Sequence, residues 1–124
     1  MNVMIASLVS SFRNSLQGLS FAARSERAVR QELAVLAVAL PVAVLIADSF
    51  LAWVALVGVV ALVLAIELLN TAIEKLCDHL HPARHPEIGT VKDLGSAAVL
   101  CGIALGLLVW GAAIVLAACR WMAP

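Results

Sequence analysis

Glu67, Asn70 and Glu74 stand at i, i+3 and i+7 in the run Glu67-Leu68-Leu69-Asn70-Thr71-Ala72-Ile73-Glu74. On a helix this spacing puts a carboxylate, an amide and a second carboxylate along one face. Glu67 follows 18 consecutive residues without a formal charge. An ionisable side chain at mid-membrane costs about 2.5–3.5 kcal/mol on insertion scales, so such a residue marks function by default. Helical rise then separates the roles, since three residues climb about 4.5 Å and seven about 10.5 Å. Glu67 and Asn70 can address one small substrate group. Glu67 and Glu74 lie too far apart to share a Mg2+ ion, whose ligands sit at about 2.0–2.1 Å. Glu74 needs a partner carboxylate from elsewhere, and Glu26, near the membrane surface, is available at similar depth. The expectation is a shallow metal site (Glu26, Glu74) and a deeper acid–base site (Glu67, Asn70). The plain alternatives are an interfacial Glu74 paired near Lys75 or Asp78, and a Glu67 held in a structural interhelical hydrogen bond.

The other polar residues carry weaker signals. Lys92-Asp93 reads two ways: Thr90-x-x-Asp93 fits a helix capping box, while Lys92 is a point charge suited to phosphate. His79, His81 and His85, interleaved with Pro82 and Pro86, fit an irregular loop better than a metal site. Cys77, Cys101 and Cys119 are spaced by 24 and 18 residues, which matches no metal or disulfide pattern. No GxxxxGK[ST] phosphate cradle occurs.

These residues must be positioned by membrane helices. The chain is 64% hydrophobic and 13% charged over 124 residues, with a mean hydropathy of +1.06. A soluble domain carries about 45–50% apolar and about 25% charged residues. The composition excludes a secreted scaffold, a disordered tail and an ordinary cytosolic enzyme. Eight basic and eight acidic residues cancel, so nothing electrostatic points to nucleic acid. Three stretches lack charge: 33–47, 49–66 and 94–119. A crossing needs roughly 17–25 mostly apolar residues, which predicts spans over about 31–47, 50–70 and 94–119, with Pro41 kinking the first. Asp48-Ser49 predicts a tight antiparallel hairpin between the first two. Seven of the eight Lys and Arg residues precede the first span or lie between the second and third; only Arg120 follows the third. By the positive-inside rule, the N-terminus and the 75–92 segment face the cytoplasm and the C-terminus lies outside.

Residues 1–30 form a different object. Ile5, Leu8, Phe12, Leu16, Leu19 and Ala23 recur at helical steps, with Ser7, Ser11, Asn14, Gln17 and Ser20 on the other faces. This predicts an amphipathic helix in the membrane interface rather than a signal peptide. Gly102 and Gly106, with Ala98, form a small-residue stripe for helix packing. The predicted fold class is all-α integral membrane: one surface helix and three transmembrane helices in a single domain.

The motifs together resemble the prokaryotic diacylglycerol kinases, small three-span membrane enzymes. The matching pieces are Glu67-x-x-Asn70-Thr71-Ala72-Ile73-Glu74 with Asp78, and Lys92-Asp93-x-Gly95-Ser96-Ala97-Ala98-Val99-Leu100. Gly18-Leu19 and Glu26-x-x-x-Arg30-Gln31-Glu32 match upstream. The resemblance implies ATP-dependent, Mg2+-dependent phosphorylation of a lipid hydroxyl at the cytoplasmic face of a bacterial inner membrane, in a homotrimer whose subunits share sites. It further implies Glu67 as general base, Glu26 and Glu74 as metal ligands, and Asn70 as the active-site amide. Arg13, Asn14, Ala83, Arg84, His85, Lys92 and Asp93 are its implied nucleotide contacts. Ser15, Arg30, Gln31, Glu32 and Ser96 are the positions it implies as lining the phosphoryl or lipid site.

One departure stands out. The family's early basic residues align with Ser7 and Ser10 here, leaving Arg13 or Lys92 as the candidates for that phosphate contact. The related undecaprenol kinases share the pattern, and His85-Pro86 is similar to theirs. Arg30-Gln31-Glu32 and Gly95-Ser96 favour diacylglycerol as acceptor. A reading from another class is a small proton-coupled transporter built on Glu67, which would give the second carboxylate layer and Lys92-Asp93 no purpose.

Overall fold

The computed structural model describes residues 2–83 and 85–123. It consists of four helices, α1 (Asn2–Ser25), α2 (Arg27–Ile46), α3 (Phe50–Leu80) and α4 (Pro86–Met122). The last three are long and apolar enough to cross a membrane, so the predicted fold class holds. At 1.5 Å per residue, α3 is about 46 Å and α4 about 55 Å long, against a hydrocarbon core of about 30 Å. Both helices therefore continue well past the bilayer interior, and the titratable residues at their joined ends ride on that extension.

Local sequence explains each boundary. Glu26 separates α1 from α2 in an extended conformation (φ −106°, ψ 125°). Arg30 Nη1 donates to the Arg24 carbonyl at 3.1 Å, satisfying a group that a helix end leaves unpaired. Residues 2–30 are thus not one helix but parts of two, hinged at Glu26. Pro41 lies inside α2, which continues through it. Ser49 caps α3 by accepting from the Ala52 N–H at 3.2 Å. Between α3 and α4 the described residues His81, Pro82, Ala83 and His85 are non-helical, and His79 still belongs to α3. Of the two readings of the Thr90–Asp93 segment, the capping box is not formed. Both residues lie inside α4, which Pro86 opens at its first position, where a missing N–H costs nothing. The Thr90 hydroxyl instead donates to the Pro86 carbonyl at 3.2 Å.

α3 is the central element. Ala22, Val29 and Leu64 form one buried cluster, with Leu33, Leu36 and Leu68 around it, which ties α1 and α2 to α3. Ala39, Val59 and Val60, with Val109 and Trp110, form a second cluster joining α2, α3 and α4. The Trp110 indole donates to the Leu56 carbonyl at 3.1 Å. Gly102 gives α4 its close approach: a Cβ there would lie 3.1 Å from Ile66 Cδ1 and 3.5 Å from Val63 Cγ2. Gly106 is more loosely placed, with its nearest side-chain atom at 4.0 Å. At the ends remote from residues 81–85, Arg120 pairs with Asp48 at 3.8 Å and bonds the Ile46 carbonyl. At the near ends, Lys92 of α4 pairs with Asp78 of α3.

Candidate active site

Glu67 and Asn70 are each 8% exposed, on the α3 face that α2 and α4 cover. They are buried because the apolar positions of the same stripe (Leu56, Val59, Val60, Val63, Leu64) are the ones α2 and α4 pack against. One helical face carries the packing seam first and the polar cluster next. Asn70 Nδ2 donates to Glu74 Oε1 at 3.2 Å, while the buried Asn70 Oδ1 has no partner. Gly95 of α4 sits against that oxygen; a Cβ there would strike Oδ1 and lie 3.3 Å from Cγ.

Beside this face runs a groove of about 840 Å³, open between α2 and α4. Val35, Val38, Val63, Val99, Ile103 and Trp110 make it apolar, and Gln31, Glu32 and Glu67 supply its polar groups. Glu32 Oε2 is buried without a hydrogen-bond partner. An amphipathic molecule with a hydroxyl head and an acyl body matches this lining, because each end meets its own kind of surface.

Glu26, at the hinge, accepts from Lys75 Nζ at 2.8 Å and from the Ser25 hydroxyl at 2.9 Å. Lys75's bond, with Ser25's, holds the Glu26 carboxyl below the usual carboxylate range. Lys75 also lies over the Phe21 ring, 5.3 Å from its centroid. Glu26 and Glu74 both lie close enough for their charges to act on Glu67, as Glu67 acts on Glu32. The structure thus gathers four carboxylates from the hinge, α2 and α3. Among the described residues no three of His, Cys, Asp and Glu form a ready-made metal set. Mg2+ nevertheless fits the donors present: it is commonly held by one or two carboxylates plus substrate phosphates. Glu26 and Glu74 offer carboxylate oxygens, and Asn70 Oδ1 is an unsatisfied acceptor between helices.

The remaining predicted residues scatter more widely. Lys92 is bonded to Asp78, which raises its pKa above the ordinary lysine value; Asp93 and Ser96 are exposed on α4. Arg30 serves the hinge through the Arg24 carbonyl. Arg13 lines a shallow surface groove of about 550 Å³ on α1 with Gln17 and Arg24. Asn14 is exposed, and the Ser15 hydroxyl bonds back to the Ser11 carbonyl at 3.0 Å. Ala83 lies in the 81–85 connection, where the His85 ring sits 5.9 Å from that of His81. Arg84 lies outside the described residues. Sequence reasoning missed the Lys75–Glu26 and Lys92–Asp78 pairs and the contact of Gly95 with Asn70. Only the last had a local signal, since a glycine inside a helix costs about 1 kcal/mol against alanine and suggests close packing.

A buried carboxylate thus borders a largely apolar groove, with three further carboxylates within electrostatic range. The family model of the prokaryotic diacylglycerol kinases matches residues 13–115. The chain belongs to that family. It is 35% identical over 104 residues to the diacylglycerol kinase of Haemophilus influenzae, covering 84% of this chain and 88% of that one. It is 36% identical over 96 residues to the diacylglycerol kinase of Escherichia coli K12, covering 77% and 79%. It is 38% identical over 96 residues to that of Pseudomonas aeruginosa, covering 77% and 78%. This kinase is therefore a multi-pass membrane enzyme that uses ATP and a lipid, and the transporter reading falls away.

Proposed function

We propose that the protein transfers the γ-phosphate of MgATP to the hydroxyl of diacylglycerol, giving phosphatidic acid, at the cytoplasmic face of a bacterial inner membrane. The observation that carries this reading is Glu67, buried at the polar part of an apolar groove and within electrostatic reach of Glu26 and Glu74. The lipid lies with its acyl chains along α2 and α4 and its hydroxyl at Glu67, with Gln31 and Glu32 beside it. Glu67 takes the hydroxyl proton as that oxygen attacks the γ-phosphorus; the bond to the β–γ bridging oxygen breaks and ADP leaves. Asn70 holds Glu74 in place and keeps one acceptor oxygen at the site. Glu26 and Glu74 are the residues to hold Mg2+, which when bound neutralises charge on the phosphates. Most of the acceleration comes from alignment and fixed charge, because phosphoryl transfer asks little covalent chemistry of the protein.

The same reading takes residues 1–30 as the surface segment, 31–47, 50–70 and 94–119 as the spans, and 75–92 as the cytoplasmic segment, with the N-terminus inside. Arg13, Asn14, Ala83, His85, Lys92 and Asp93 contact the nucleotide, Ser15, Arg30 and Ser96 line the phosphoryl or lipid site, and three copies complete the sites. In mixed micelles, the purified protein should move labelled γ-phosphate from MgATP to diacylglycerol. Offered diacylglycerol and a long-chain polyprenol together, it should show the higher kcat/KM for diacylglycerol; a clear preference for the polyprenol overturns the acceptor.

A further inference from the structure

We propose that Lys75 changes partner during turnover: its ammonium is the counter-ion of Glu26 before nucleotide binds and passes to a phosphate oxygen when MgATP arrives. This rests on the kinase reading above. Lys75 Nζ lies 2.8 Å from Glu26 Oε1, its side chain is 48% exposed, and the Phe21 ring lies 5.3 Å below it. The ammonium is held on two sides and open to water on the rest.

Two facts single it out. Among the described residues, Lys75 is the only cation ion-paired with any of Glu26, Glu32, Glu67 and Glu74. Two other cations at this end are engaged elsewhere: Lys92 with Asp78, and Arg30 with the Arg24 carbonyl. A divalent ion on the Glu26 carboxylate competes with the ammonium for its negative charge, so occupation of the metal site loosens Lys75 beside an incoming polyanion. A flexible four-carbon stem with three rotatable donors suits such an exchange, and lysine binds phosphate as a point charge. Lys75 would thereby supply the phosphate contact that the chain lacks at Ser7 and Ser10.

The exchange makes two changes of opposite sign. Without Lys75, nothing competes with Mg2+ for Glu26, so the metal alone binds more tightly; the nucleotide loses a cationic contact and binds more weakly. Calorimetry on the detergent-solubilised full chain tests this with Mg2+ alone and with ADP at saturating Mg2+. For K75M we expect several-fold tighter Mg2+ binding and roughly tenfold weaker ADP binding, the scale of one hydrogen bond to a charged group. K75R should restore the ADP affinity. A merely structural Lys75 would weaken both or move neither, and either result overturns the proposal.

A measurement on the unmodified protein guards against a variant that fails to fold. Acylation of the Lys75 amine, followed by peptide mass spectrometry, should speed up when Mg2+ is added and slow again when ADP follows. Equal rates in all three states overturn the exchange. If the protein binds ADP and transfers phosphate while Lys75 reactivity stays unmoved, only this inference fails; if it neither binds ADP nor transfers phosphate, the kinase reading fails with it.

Discussion

Replacing Glu67 with Gln keeps the side chain's volume and removes its capacity to take a proton. A positioned base contributes about 10²–10⁴-fold, so E67Q should lose phosphoryl transfer by that order in the mixed-micelle assay. Its thermal unfolding midpoint in detergent should not fall, because neutralising a buried charge removes a desolvation cost. Activity retained at the wild-type level would remove Glu67 from its role. Glu26 allows a test of sign. Its ordinary pKa is 4.5, and Lys75 holds it lower in the folded protein. The stabilisation from that pair is therefore complete above about 4.5 and fades as pH falls through the lower, folded value. NMR titration of the Glu26 carboxyl should show a midpoint below the ordinary one, and K75M should move it upward. A midpoint unchanged by K75M would mean that the ion pair does not form in solution.

At the scale of elements, two glycines of α4 do different work. Gly95 faces Asn70 with no room for a methyl group, so G95A must turn the Asn70 amide and break its bond to Glu74. A hydrogen bond to a charged group is worth about 1.5–3 kcal/mol, so kcat should drop roughly 10–100-fold with the fold intact. Gly102 meets the flexible end of Ile66. G102A should be tolerated, whereas G102L overpacks the α3–α4 seam and should cost about 1–3 kcal/mol in detergent unfolding, with loss of activity following loss of fold. The ends of these helices were only partly legible. Apolar run length predicted three crossings, but it is blind to how far a helix continues into water. The Thr90-x-x-Asp93 pattern misled because Pro86 starts the helix first. The break at Glu26 was hidden because the helical pattern on either side suits one long helix equally well.

The whole molecule leaves much apolar surface uncovered. α4 buries only Gly102 and Ala117 among its 37 residues, and the α2–α4 groove stays open along one side. In a membrane such a surface is covered by lipid or by other helices, and small residues favour close helix contact. Light scattering of the purified enzyme in mild detergent should give the protein mass of a trimer; a monomer with full activity would overturn the shared-site arrangement.

The sequence by itself determined that this is a helical membrane protein with a row of polar groups along one helical face, because burial of apolar length and the expense of a charge in lipid are properties of the chain alone. Glu67, Asn70 and Glu74 were readable for the same reason: a helix fixes the spacing of its own residues. What only the tertiary structure decided is which residues from different helices meet. Lys75 finds Glu26 across the hinge, Gly95 finds Asn70 across the α3–α4 seam, and Glu32 turns from α2 into the groove beside Glu67. Each of these depends on the rotation and depth of one helix against another, which the packing of small and branched side chains sets and no spacing along the chain records.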